Sequence, residues 1–225
     1  MYGLLTFNTL PTSLRAVGRC RRQFTWTTVR RLHRLVSAGF YVPEISKAYR
    51  GGEDSFFISN NGLHIGVFDG VGGWIREGVD AGIFARKLAA NCAAYLRRSH
   101  ASNKMALREN EDNANTDAFV PPMEMLKYAH KKARKVKGSS TTIVAGIENL
   151  GETSATATLH VANIGDSVCC VMRRSRDEEE GEERWTLHGK TTEQFVNFNF
   201  PKQLGANPRG LRQAEQFQID VQAGD

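Results

Sequence analysis

An α+β fold with antiparallel sheets is the fold class this sequence predicts. Asn61-Gly62 stands between two apolar runs, 56–58 and 63–68, a strong short-range signal of a β-hairpin. Two stretches, 79–98 and 122–136, repeat apolar residues at three- and four-residue spacing and read as helices. The later apolar runs alternate with polar residues and are joined by short turns, so their strands meet as hairpins and not as βαβ units.

The elements follow in order. The hairpin occupies 56–68. In the first helix Ile83, Phe84, Leu88, Cys92, Tyr95 and Leu96 recur on one face, among abundant Ala. Residues 99–118 are polar and aperiodic and read as a surface loop. Pro121 and Pro122 open the second helix, with Met123, Leu126, Ala129 and Ala133 on one face and a basic end that complements the helix dipole. Gly138 stops it. Strands are expected over 142–147 and 154–164, where Ala155, Ala157, Leu159 and Val161 alternate with Thr156, Thr158 and His160. Gly165-Asp166 turns into a strand at 168–172. An acidic tip at 177–183 leads to 185–187, and 217–221 is the last strand. The tail Gln222-Ala223-Gly224-Asp225 reads as a turn with nothing to join.

Charge divides the chain. Residues 1–43 contain seven Arg and no acid, whereas 44–225 hold 23 basic and 24 acidic residues. The overall net charge of +6 thus belongs to the N-terminus, and the body is not a nucleic-acid binder by charge. An Arg-rich, Ser/Thr-containing, acid-free segment has the composition of an organellar transit peptide, mitochondrial before chloroplast. A disordered basic arm is the other reading. The domain boundary is expected at residue 43, with one domain over 44–225. No run approaches the roughly 18 apolar residues of a membrane span, and four Cys exclude a disulfide scaffold. No C-x-x-C pair suggests zinc, and the six His lie in separate elements.

Two segments bring acids to the ends of the hairpin strands: Arg50-Gly51-Gly52-Glu53-Asp54 and Phe68-Asp69-Gly70-Val71-Gly72-Gly73-Trp74. Carboxylate and carbonyl oxygens suit Mg²⁺ or Mn²⁺. Acid-Gly pairs after a strand are also ordinary turns, so these residues alone leave both readings open.

The ordered set is more specific. Gly-Glu-Asp at 52–54, Asp-Gly-Val-Gly-Gly-Trp at 69–74, Gly-Ser-Ser-Thr-Thr at 138–142 and Ala-Asn-Ile-Gly-Asp-Ser at 162–167 resemble the metal-dependent serine/threonine protein phosphatases of type 2C. Val71, Trp74, Thr192-Glu193-Gln194-Phe195 and the run Asn199-Phe200-Pro201-Lys202-Gln203-Leu204 resemble the mitochondrial T-cell-activation-type subgroup. The resemblance covers about 48–225. It implies an αββα sandwich of two antiparallel sheets flanked by helices. It implies two Mn²⁺ or Mg²⁺ ions, with Asp69 bridging, the Gly70 carbonyl and Glu53 as further ligands and Asp54 beside them. Arg50 would hold the substrate phosphate, and no protein nucleophile is needed because a metal-activated water attacks phosphorus. Phosphoprotein substrates and a monomeric state follow from the same resemblance.

Two departures shape the expectation. Val71 replaces a His found in many members. Two further metal Asp of the family lie in motifs beyond the final Gly-Asp turn, so the domain is expected to be incomplete at its C-terminus. The competing expectation is accordingly a truncated, catalytically inactive form that binds phosphoproteins or acts as a decoy.

Overall fold

The computed structural model describes residues 33–108, 119–150, 154–176 and 182–225. Its ten strands are β1 (Asp54–Ile58), β2 (His64–Gly70), β3 (Ser139–Asn149), β4 (Thr156–Ile164), β5 (Cys170–Arg176), β6 (Glu183–Lys190), β7 (Phe195–Asn197), β8 (Phe200–Pro201), β9 (Leu204–Gly205) and β10 (Glu215–Gln222). Two α-helices, α1 (Ala81–Arg108) and α2 (Pro122–Ala133), follow β2. The main sheet runs β1-β2-β3-β4-β10, all antiparallel, with β9 paired to the start of β3. The expected α+β class with antiparallel sheets and helices is what the chain adopts.

Strand periodicity explains the layers. Phe57, Phe68, Val144, Ala162 and Ile164 face α1 and α2 and pack with Phe84, Leu88, Met125 and Leu126. Ile65, Ile143, Ala145, Ile147, Leu159 and Val161 face the other way and meet Cys169 and Val171 at the start of the β5–β6 hairpin. Each of the large side chains buried in these layers contributes roughly 1.5–3 kcal/mol. Among the described residues, the layers are therefore helices, a six-stranded sheet and a two-stranded second sheet.

Several expectations change. The surface loop expected from residue 99 is helical as far as Arg108, and 109–118 lie outside the described residues. Ala101, Lys104, Met105, Leu107 and Arg108 are good helix formers with no Gly or Pro among them, so the helix continues where its apolar stripe ends. Residues on the N-terminal side of the expected boundary at 43 contact the body. Leu35 is buried, its N–H donates to the Gly62 carbonyl at 2.6 Å, and the His33 N–H donates to Asn149 Oδ1 at 2.6 Å. Residues 1–32, which hold most of the expected transit segment, lie outside the described residues, as does the acidic tip over 177–181.

The tail is not idle either. Asp225 is buried and accepts from Arg173 Nε at 2.7 Å and from the Gln222 N–H at 3.0 Å, which fastens the end of β10 to β5. Three histidines tie elements together. His64 Nε2 bonds the Val120 carbonyl at 2.8 Å, His130 Nε2 the Gly205 carbonyl at 2.7 Å, and His160 pairs with Glu148. Burial pushes the thiols of Cys92 and Cys169 up, away from reactivity.

Candidate metal and phosphate site

The β1–β2 register sets Asp54 directly opposite Asp69, and the β2–β3 register sets Asp69 opposite Thr141. Alternation along the strands places Asp69 on the face opposite α1 and α2, since its neighbour Phe68 is in the helix-side core. The two carboxylate residues are direct cross-strand neighbours in this register. Burial, the neighbouring Asp54 charge and, less strongly, Asp166 push Asp69 from 3.8 up to about 7. Two acids set side by side in a half-buried site are arranged for a divalent cation, whose charge would offset theirs. The donors are hard oxygens, as Mg²⁺ and Mn²⁺ require. Among the described residues no group of three His, Cys, Asp or Glu is placed to hold a metal ion, so Asp166 adds charge near the pair without completing a cage.

The scaffold around this pair is tight. Gly70 is buried, and its N–H donates to the Glu53 carbonyl at 3.1 Å. A Cβ on Gly70 would lie 2.4 Å from that carbonyl oxygen and 3.0 Å from the Ala81 backbone, so only glycine lets β1, β2 and the start of α1 converge there. Asp80 accepts from the Gly82 N–H at 2.9 Å in the first turn of α1 and pairs with Arg86 at 3.0 Å. Arg86 also donates to the Gly52 carbonyl at 3.1 Å, which ties the helix to the Gly-Glu-Asp segment.

Glu53 does not join the carboxylate pair. It lies in the bend just before β1, and its carboxylate is engaged by Lys47 and by Arg50, the latter at 3.1 Å. Glu53 and, after it, Glu44 raise Lys47. A Cβ on Gly72 would stand 3.0 Å from Glu53 Oε2 and 3.2 Å from Lys47 Nζ, so this ionic triad sits under the loop that follows Asp69. Arg50 is mostly buried, and its Nε has no hydrogen-bond partner. The structure thus brings Asp54, Asp69 and Gly70 together and groups Glu53 with Arg50.

Lys47 escaped the sequence reading because it lies in a short 3₁₀ turn, Ile45–Arg50, with no periodic signal. Ser139 escaped it too. Its Oγ accepts from Trp74 Nε1 at 2.7 Å and donates to Gln203 Oε1 at 2.7 Å, and its carbonyl accepts from the Val71 N–H at 3.0 Å. Only its place in the Gly-Ser-Ser-Thr-Thr motif marked it.

Comparison with known proteins bears on the family. The chain is 32% identical over 202 residues to the "Probable protein phosphatase 2C 80" of Arabidopsis thaliana, covering 89% of this chain and 41% of that protein. It is 33% identical over 172 residues to the "Protein phosphatase 2C homolog 7, mitochondrial" of Saccharomyces cerevisiae, covering 73% of this chain and 42% of that protein. The solved structure of the photosystem II phosphatase PBCP matches with a TM-score of 0.55 and 26% identity, over 80% of this chain and 59% of that one. The chain belongs to the type 2C protein phosphatase family. It spans less than half the length of these two curated relatives. No family profile matches it. Among the described residues of this type 2C family member, no helix is long and apolar enough to cross a membrane.

Proposed function

We propose that the protein is a metal-dependent serine/threonine protein phosphatase, acting on phosphoserine and phosphothreonine in protein substrates. The observation that carries this reading is the pairing of Asp54 with Asp69 at the mouth of the glycine loop. Asp54, Asp69 and the Gly70 carbonyl would hold Mn²⁺ or Mg²⁺. When bound, such ions acidify water and offset charge on phosphoryl oxygens. Lys47 and Arg50, oriented by Glu53 beneath Gly72, are the cations that would receive the substrate phosphate. A mitochondrial location is supported by the acid-free, Arg-rich N-terminal composition and by the relative whose name places it there.

The test is phosphate release from a phosphothreonine peptide by the intact protein, with Mn²⁺ and then with chelator. Turnover should depend on Mn²⁺ and fall at least about 100-fold in Asp69→Asn, the scale of removing a charge-stabilising group from an active site. Turnover by Asp69→Asn equal to the parent's would overturn the assignment.

A further inference from the structure

The loop that follows Asp69 contains glycine at 70, 72 and 73. Glycines leave a backbone free to wander, so something else must hold this loop in shape. Its pins converge on one residue: the Val71 N–H and the Trp74 indole N–H both donate to Ser139. Ser139 is buried, and its hydroxyl is in turn oriented by Gln203. A hydroxyl that accepts from an indole has one proton left to give, and the Gln203 carbonyl oxygen takes it.

Gln203 belongs to a strap, residues 191–205, laid across the ends of the central strands. At one end Leu204 and Gly205 pair with Ser140 and Ser139 as β9. At the other end Gln194, buried, grips the Gly165-Asp166 turn. Its N–H donates to the Gly165 carbonyl at 2.9 Å, its Oε1 accepts from the Gly165 N–H at 3.3 Å, and its Nε2 donates to the Asn163 carbonyl at 3.3 Å. The Lys202 N–H donates to the Gln194 carbonyl at 3.0 Å and closes the strap on itself. Gly165 has φ +105°, and a Cβ there would lie 2.8 Å from the Lys202 carbonyl oxygen and 2.6 Å from Thr141. The strap backbone is therefore seated directly on the turn that carries Asp166.

We infer that Gln203 and Ser139 are positioning residues: through Trp74 they fix the Asp69–Trp74 loop, and thereby set how tightly Asp54, Asp69 and the Gly70 carbonyl hold a divalent cation. This rests on the metal reading of the site proposed above. Neither residue touches the cation; each acts one hydrogen bond further out. Loss of such outer partners lowers metal affinity by about 10–100-fold in other sites.

The experiment measures Mn²⁺ binding to the intact protein directly, from the loss of the free-ion electron paramagnetic resonance signal, alongside thermal melting. Gln203→Ala, at a half-buried position, should weaken Mn²⁺ binding about tenfold while the protein remains folded. Ser139→Ala should do the same, and Ser139→Thr, which keeps the hydroxyl, should restore most of the affinity. The double variant should be no weaker than the worse single one, because both residues act through one hydrogen-bonded chain. Emission from Trp74 should shift in both alanine variants. Parent binding that is unchanged in Gln203→Ala and Ser139→Ala would overturn the strap's role alone. Absence of Mn²⁺ binding in the parent would overturn the metal reading and this inference with it.

Discussion

Asp69→Asn should make the metal-free protein more stable while it removes metal binding. The reason lies in the raised carboxyl. In the folded chain Asp69 is pushed from 3.8 to about 7 by burial, by Asp54 and by Asp166. Between those two values the native state holds a proton that the unfolded chain has released, so stability is full in acid and declines as pH rises through that window. At 1.36 kcal/mol per unit the loss above pH 7 has an upper limit of about 4 kcal/mol. Water and salt at a partly open site reduce it to on the order of 1–2 kcal/mol. An amide has no charge to bury and places none beside Asp54. At about 2–4 °C per kcal/mol for a domain of this size, Asp69→Asn should melt roughly 2–8 °C above the parent at pH 8 in chelator. At pH 4 the gap should close. Saturating Mn²⁺ should raise the parent's melting temperature and leave the variant's unchanged. A variant that melts below the parent at pH 8 in chelator would refute the argument that the pair is electrostatically strained without a cation.

Two other outcomes follow from burial. His64 lies in the core, where desolvation lowers it from 6.5 to about 4, so its stabilisation is present above pH 6.5 and is lost as pH falls toward 4. Urea unfolding of the metal-free protein at pH 7 and pH 5 should therefore show a flatter acid limb in His64→Gln than in the parent, despite lower stability at both. Leu35→Ala should cost about 2–4 kcal/mol in denaturant melts, as deletion of a core side chain does, whereas a value near zero would mean that residues 33–43 do not belong to the folded body.

The parts of the fold that were legible in the sequence are those where local chemistry and tertiary packing agree. Asn61-Gly62 between apolar runs specifies the β1–β2 hairpin, and the hairpin register alone brings Asp54 beside Asp69. The apolar stripe of α1 likewise foretells the face that meets Phe57 and Phe68. What stayed hidden depends on partners far away in the chain. Leu35 looks like one apolar residue in a basic segment until Gly62 receives its N–H. Asp225 looks like the last residue of a turn until Arg173 meets it. Glu53 and Asp54 are indistinguishable as neighbouring acids, yet the first lies in the bend before β1 beside Lys47 and Arg50, and the second opens β1 opposite Asp69. The continuation of α1 past residue 98 stayed hidden because the three- and four-residue apolar spacing of 83–96 stops there.

The placement of the paired acids on one hairpin and of their brace on a distant segment bears on the order in which the chain folds. Strands β1 and β2 are separated only by residues 59–63, and α1 follows almost at once, so this unit closes with little loop entropy. The bond from Ser139 to Gln203 spans 64 residues and that from Trp74 to Ser139 spans 65. Contacts of such separation form late. A nascent chain therefore carries Asp54 opposite Asp69 well before the glycine loop is braced, and the loop gains its working shape only when the strap docks.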